Sequence, residues 1–516
     1  MHRKLGYTFL RTELNLLVPP LGVDLAIGEE YKDKTIDYGQ NKLKILAKTK
    51  RVGETVPEHL EVAIKYQGIR LSYLSPIFDV IDVSELTEYI KEKPKSDIRR
   101  CIWYLYEWLT EEALAIEEST AAYTNLLDDQ YYFTSANSRR HSRTRVINNL
   151  LGNKQFCPMV RKTTKMKSLA KRDVMAMAQH HLSALSPFLD TETLGRSVSY
   201  LYTKETKSST EIEKEDTREE KTKKFFRVLK SSGTQPLDKN RLLFVQNQIV
   251  QNELKDTDYR AKEIYVGTTR HIGGIGEDIH YIGPKAIYMQ SLMDGLLALH
   301  EMLMIENTLP VMLHAAIISF GLVYIHPFSD GNGRTHRYLI HDILKSRGEK
   351  KQNFIIPVSA AILQRQNEYD QVLESFSTSI MAMIDYDLDE DDHSIVINND
   401  LIYLYRYPDL TEHVEFLYDM MECAITEDLL EEIVFILKFD GIKQIINQQY
   451  DLPNQKLDLL VRLLLSNHTI SKSKQKLFTK WLTAEHIESI EKFALEKMQQ
   501  FDRIIEQSNN VVSEAD

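Results

Sequence analysis

From Pro310 to Ile325 the chain is almost wholly apolar. The run is too short for the ~20 apolar residues of a membrane-spanning helix, and His314 lies inside it, so it predicts a buried helix. A polar turn follows, His326 to Arg337, and Tyr338 to Leu344 resumes a mixed apolar pattern. Arg334 to Leu344 therefore predicts a second helix, entered through a glycine-bearing turn. Elsewhere the patterning predicts further helices at Val83–Lys91, Arg99–Ala115, Asp238–Leu254, Ala286–Glu306 and Ala360–Ser375. In the second of these, Trp103, Tyr104, Tyr106 and Trp108 form an aromatic group that reads as core. Leu14 to Ile27, with Pro19 and Pro20 inside, reads as strand–turn–strand, and Lys42–Thr49 alternates like a strand.

Ile264 to Thr269 followed by Gly273, Gly274, Gly276 and Gly283-Pro284 predicts a β-hairpin with a long tip. Residues 204–224 are so charged that composition alone gives a solvated helix or a linker. From Leu401 the pattern is helical apart from the loop at Asp451–Gln455. Leu457, Leu460, Val461 and Leu464 stand at i, i+3, i+4 and i+7. Thr469–Trp481 and Thr483–Lys497 follow as a short helix, a turn and a long helix, with Lys472, Lys474, Lys476 and Lys480 on the first. That arrangement fits a winged-helix-like module, or a helical interaction domain with a solvated lysine face.

A length of 516 residues predicts three or four domains, and no internal repeat of fixed period is present. The formal net charge of −11 excludes a general nucleic-acid coat. It leaves local basic patches, such as Arg139, Arg140, His141, Arg143 and Arg145, which read as a solvated loop or a polyanion contact. Three dispersed cysteines, Cys101, Cys157 and Cys423, suit a reducing compartment. Arg11 and Glu13 spoil the N-terminus as a signal peptide, so the expected location is cytoplasmic, with no membrane partner. His180 and His181 lie in a helical run without ligand spacing and read as surface histidines rather than a metal site.

The turn His326-Pro-Phe-Ser-Asp-Gly-Asn-Gly-Arg-Thr-His-Arg337 concentrates the chemistry. Gly331 and Gly333 let backbone N–H groups approach a ligand, and a helix opening on glycines presents free donors and a positive dipole end, which suits phosphate. Arg334 and Arg337, three apart, can hold a polyphosphate by bidentate bonds. Asp330 has the hard oxygen donors of an Mg²⁺ ligand. His326 is the natural general base.

Every fixed position of this stretch resembles the Fic motif, His-Pro-Phe-x-Asp-Gly-Asn-Gly-Arg-x-x-Arg. The resemblance implies a protein adenylyltransferase that moves AMP from ATP to Ser, Thr or Tyr hydroxyls of a target protein and of itself. By it, His326 deprotonates the hydroxyl and Asp330 holds Mg²⁺ on the α- and β-phosphates. Gly331, Asn332 and Gly333 form the anion nest, Arg334 and Arg337 hold the leaving phosphates, and Phe328 packs under the loop. Thr335 and His336 complete the implied ATP-binding stretch. The hairpin takes the place of the flap, with Val266, Gly267, Thr268 and Thr269 over the nucleotide and an edge for the target's backbone. Tyr369 matches a position near the adenine, with a core tyrosine as the rival reading. Ser209 and Glu213 supply the Ser/Thr-x-x-x-Glu of an inhibitory helix, with Lys214 where glycine is usual.

The resemblance covers roughly residues 200–380, and Arg99–Arg161 is similar to the N-terminal half of large bacterial Fic proteins. The expected fold is mainly α. Residues 1–200 would form a mixed α/β N-terminal domain, 201–385 a Fic helical bundle with a β-hairpin flap and its preceding inhibitory helix, and 386–516 a helical C-terminal domain. Within enzymes the rival is transfer of UMP, GMP, phosphocholine or phosphate. Phosphate-transferring relatives lose the second glycine or the last arginine, and Gly333 and Arg337 are both present. A rival of another class is a nucleotide-sensing regulator that contacts DNA through the C-terminal domain alone. A homo-oligomer is compatible with either.

Overall fold

The structure is a computed structural model that describes residues 2–38, 42–50, 52–185, 187, 191–214, 219–270, 276–348, 354–389 and 393–513. The chain is mainly helical, with four small sheets among the described residues. It divides into two compact units: Met1–Ala170 with Ser232–Arg347 and Asn367–Phe416, and Lys171–Ser231 with Gly348–Gln366 and Leu417–Asp516.

The first unit opens on a mixed four-stranded sheet, in the spatial order Arg3–Lys4, Val23–Ile27, Lys42–Leu46, Lys34–Asp37. Val23–Ile27 and Lys42–Leu46 run parallel and the outer pairs antiparallel. Leu5, Leu25, Leu46 and Val62 close a small core beneath it. Leu14–Ile27 thus contributes one strand, not two. A helix, Gly6–Glu13, precedes it where the sequence pattern gave none. The helix expected to run to Ala115 stops at Thr110, because Glu111 turns left-handed at φ 65°. Trp103, Tyr104 and Tyr106 are buried as expected. The basic run forms part of a three-stranded sheet, and two of its arginines are internal fasteners. Arg143 donates to the carbonyls of Leu114 and Ile116, and Arg145 to that of Ser119.

The core of the unit's second half is Val311–Ile325, with nearly every side chain buried. Helices Met289–Glu306 and Asn332–Arg347 pack against it, and Lys239–Ile249 packs on the latter. Asp238 caps that last helix by accepting from Arg241 N at 2.7 Å. The predicted Ala360–Ser375 helix is two helices, Val358–Gln364 and Gln366–Met381.

In the second unit, Thr191–Ile212 is a continuous helix rather than a linker. Its buried residues include Ser197, Thr206, Ser208, Ser209 and Thr210, small side chains that allow close helix packing. Thr206 and Thr210 satisfy their hydroxyls on the carbonyls four residues back, at 2.7 and 2.9 Å. Glu205, also buried, accepts from Ser359 N and Oγ. The C-terminal core gathers Ile442, Leu457, Leu460, Val461, Leu464 and Phe478 under the Ala484–Ser513 helix. After Ile397 the described residues contain no strand that could form a wing, and the short helix is only Lys472–Gln475. His181 is buried, contrary to the surface position expected for it.

Candidate active site

The buried Val311–Ile325 helix delivers His326 at its C-terminal end, where the residue takes φ 54°, ψ 59°. A non-glycine residue in this left-handed region costs ~1–2 kcal/mol, so surrounding bonds must hold it there. His326 N donates to Leu322 O at 2.8 Å and the ring Nδ1 lies 3.0 Å from Val323 O. A carbonyl oxygen can only accept, so Nδ1 carries the proton. In the neutral imidazole the basic lone pair then belongs to Nε2.

The loop after His326 is shaped by three side chains, those of Asn332, Asp256 and Gln246. Asn332 Oδ1 accepts from Phe328 N at 3.0 Å, and Asn332 Nδ2 donates to Phe328 O at 2.8 Å. The side chain expected in the anion nest is thus used as a brace across the loop, and what Asn332 offers a ligand is its backbone at the start of the Asn332–Arg347 helix. Asp256 accepts from both the N–H and the hydroxyl of Ser329, at 2.8 and 2.9 Å. Gln246, wholly buried, donates to Asp330 O at 3.2 Å. Neither Gln246 nor Asp256 stood out in the sequence. A buried glutamine on the apolar face of an otherwise amphipathic helix was the available signal.

Gly331 stands at φ 83°, and a Cβ there would lie 2.8 Å from Val250 Cγ1, so both backbone and space demand glycine. Its carbonyl accepts Thr335 N at 2.9 Å, which starts the helix. First-turn N–H groups of a helix have no intrahelical acceptor and carry the positive end of its dipole. Asp330 is one-third exposed at this end, with Arg334 Nη2 at 3.4 Å from its Oδ2. Arg334 is nearly buried and also donates to Ile249 O at 3.2 Å, and Arg337 is fully buried. Among the described residues no group of three His, Cys, Asp or Glu could form an all-protein metal cage.

Thr335, His336 and Tyr369, expected at the nucleotide, have their side chains in the core. His336 packs on Phe320, 4.6 Å between ring centroids, and stacks on Tyr369, which in turn stacks on Phe416. Burial pushes the His336 pKa down to about 3, so the ring is neutral and carries no charge for a phosphate. Tyr369 is only 4% exposed, packed between the His336 and Phe416 rings.

The flap is an antiparallel pair, Tyr265–Arg270 with Gly276–Ile282, with a register irregularity between Val266 and Gly267. A Cβ on Gly267 would lie 2.8 Å from Asp278 O, so glycine lets the strands close at that irregularity. Val266 and Thr268 are exposed, and Thr268 Oγ1 is 3.1 Å from His280 Nε2. Thr269 lies in the strand, but its side chain and the tip glycines Gly273 and Gly274 are outside the described residues. The inner end of the flap reaches the base: the Tyr281 ring is 6.2 Å from that of His326, and its hydroxyl donates to Tyr324 O. In the second unit, Ser209 is buried on the Thr191–Ile212 helix and Glu213 follows that helix's last residue. Lys214 takes φ 55°, so it departs from the expected glycine in residue type but holds the left-handed conformation glycine favours.

A buried helix ending on a histidine is followed by a glycine-hinged helix N-terminus with arginines, and free N–H donors with a positive dipole end suit a phosphate-bearing ligand. Residues 236–344 match the model of the Fic/DOC family, so the chain carries a Fic domain over that span, and Fic-domain proteins are generally transferases. Two solved structures are similar. One is a Fic family protein from Desulfovibrio desulfuricans G20, 17% identical, TM-score 0.35, covering 57% of this chain and 86% of that one. The other is a Fic domain containing signaling protein from Bacteroides thetaiotaomicron VPI-5482, 16% identical, TM-score 0.33, covering 51% of this chain and 96% of that one. No curated protein matches the chain.

Proposed function

We propose that the protein is an adenylyltransferase that moves AMP from ATP to a hydroxyl side chain of a target protein. The observation that carries this reading is the Nδ1–Val323 contact, which fixes the proton on one ring nitrogen and leaves Nε2 as the base. Nε2 takes the proton of the target hydroxyl as its oxygen bonds the α-phosphorus. The bond from that phosphorus to the oxygen bridging the β-phosphate breaks, and pyrophosphate leaves. Arg334 and Arg337 offset the charge that builds on the leaving oxygens. A single partly exposed carboxylate beside a helix N-terminus fits Mg²⁺, which takes one or two carboxylates and fills its shell with substrate phosphates and water. Asp330 would hold it, and the ion would neutralise phosphate charge.

The charged helix adds regulation to this reading. Ser209 lies in the last turn of the Thr191–Ile212 helix and Glu213 directly follows that helix; on this reading the Glu213 carboxylate withdraws an arginine from the γ-phosphate. The test of the activity is transfer of label from ATP to proteins of a lysate and to the chain itself, with modified peptides mapped by mass spectrometry. Loss of transfer in His326→Ala with ATP affinity kept by calorimetry is the expected result. Near-normal turnover of that variant rules out His326 as the base.

A further inference from the structure

Arg260 lies just ahead of the flap, and its side chain is only 2% exposed. Every hydrogen bond of its guanidinium given by the structure goes to a backbone carbonyl. Nε donates to His326 O at 2.8 Å, Nη1 to Lys262 O at 2.7 Å, and Nη2 to Pro284 O at 2.6 Å. Its own backbone N donates to Pro327 O at 2.8 Å. Lys262 lies just before the first flap strand and Pro284 just after the second. One guanidinium therefore joins both feet of the flap to the carbonyl of the residue that acts as base. The fork geometry matters, because three donors in one plane meet three carbonyls that no single ammonium could reach. Gly283 reflects the tight seat: a Cβ there would lie 2.9 Å from Arg260 Nη2. Glu263 Oε2 is the nearest carboxylate, 3.9 Å from Nη1. Burial draws the guanidinium pKa down only to about 10, so the group stays charged at neutral pH.

The bond to His326 O falls on a residue held in a left-handed conformation. That conformation aims the imidazole, and it persists only while neighbours hold the carbonyl in place. The same guanidinium fixes where the flap begins and ends.

We propose that Arg260 is a positioning residue that sets the flap, and with it a docked target strand, at a fixed distance from the imidazole of His326. The proposal rests on the reading of His326 as the base. The acceptor hydroxyl rides on the target strand and the base rides on the helix end, and the guanidinium is the hydrogen-bonded connection between their supports. An error of about 1 Å in such an alignment costs about 100-fold in rate.

The experiment compares Arg260→Lys and Arg260→Gln with the wild-type full chain. Calorimetry gives ATP affinity, and labelled ATP gives transfer to protein hydroxyls and to water. The expected result is transfer to protein down about 10- to 100-fold in both variants, transfer to water reduced much less, and ATP affinity within about threefold. A merely structural role moves ATP affinity and both transfers together, and that outcome overturns the proposal, as does wild-type transfer in Arg260→Lys. Nitrogen NMR of the His326 ring supplies a readout that needs no turnover. Arg260→Lys should shift the Nδ1–H tautomer population, and an unchanged spectrum also overturns the proposal. Absence of any transfer by the wild-type chain would instead sink the adenylyltransferase reading, and the NMR arm would still decide the role of Arg260.

Discussion

Replacing Asn332 by alanine should damage both the fold of the loop and the reaction. The side chain is 2% exposed and makes two bonds to one residue, Phe328 N to Oδ1 at 3.0 Å and Nδ2 to Phe328 O at 2.8 Å. Phe328 is itself buried, so truncation leaves a backbone donor and a backbone acceptor without partners away from water. Each such orphan costs ~1–3 kcal/mol, so the two together give a loss of ~2–6 kcal/mol in Asn332→Ala. Better helix propensity of alanine returns only ~0.5 kcal/mol at this position. Asn332→Asp discriminates further: it keeps an acceptor for Phe328 N but turns a carboxylate oxygen toward Phe328 O, so it should be at least as damaging. Thermal and denaturant unfolding measure the stability loss. Transfer from labelled ATP, assayed well below the unfolding transition, should fall at least ~100-fold because the loop carrying Asp330 loses its brace. If Asn332→Ala unfolds within ~0.5 kcal/mol of wild type and retains activity, the brace is not what shapes this loop.

Gly331→Ala should be nearly as harmful, because φ 83° costs an alanine ~1–2 kcal/mol and its Cβ would overlap Val250 at 2.8 Å. Retained ATP binding and transfer in that variant would contradict the geometry. Acid should destabilise the first unit through its buried histidines. Burial lowers His300 to about 4 and His336 and His413 to about 3, while an unfolded histidine titrates near 6.5. Their folded pKa values lie below the unfolded one, so the neutral-state stability is complete above pH ~6.5. It declines as pH falls, by ~1 kcal/mol per histidine at pH ~5.5. Melting curves at pH 7.5 and 5.5 that coincide would refute this. Glu213→Gly should raise auto-modification roughly tenfold to several hundredfold, the range of an arginine–carboxylate pair, while Glu211→Gly should change it little. The reverse pattern would place the inhibitory carboxylate at Glu211, and no change in either would make the segment a scaffold only.

The motif was legible because its chemistry is local: a base, an acid, glycines and arginines within one turn need no tertiary knowledge to be seen together. What the linear pattern could not supply was which way each side chain faces. Thr335 and His336 sit between Arg334 and Arg337, yet a helix turns about 100° per residue, and that rotation puts the histidine against Phe320 and Tyr369. The same rotation explains why the Thr191–Ile212 helix read as a solvated segment. From Thr206 to Thr210 its buried residues are threonine and serine, whose hydroxyls can be satisfied within the helix itself, as Thr206 and Thr210 show, so a scale of residue polarity misses a face that packs like alanine. The N-terminal helix was missed for the opposite reason. Gly6 opens it at φ 57°, and the eight residues from Gly6 to Glu13 give too few turns for a period to emerge. Arg260, Gln246 and Asp256 are remote from the motif in sequence and polar, and each bonds a backbone atom of the motif, a partner that leaves no trace in residue identity. A site built this way shows its reacting groups in the sequence and hides the residues that aim them. The variants that test the aim, at Arg260 and Asn332, therefore test what the structure adds to the motif.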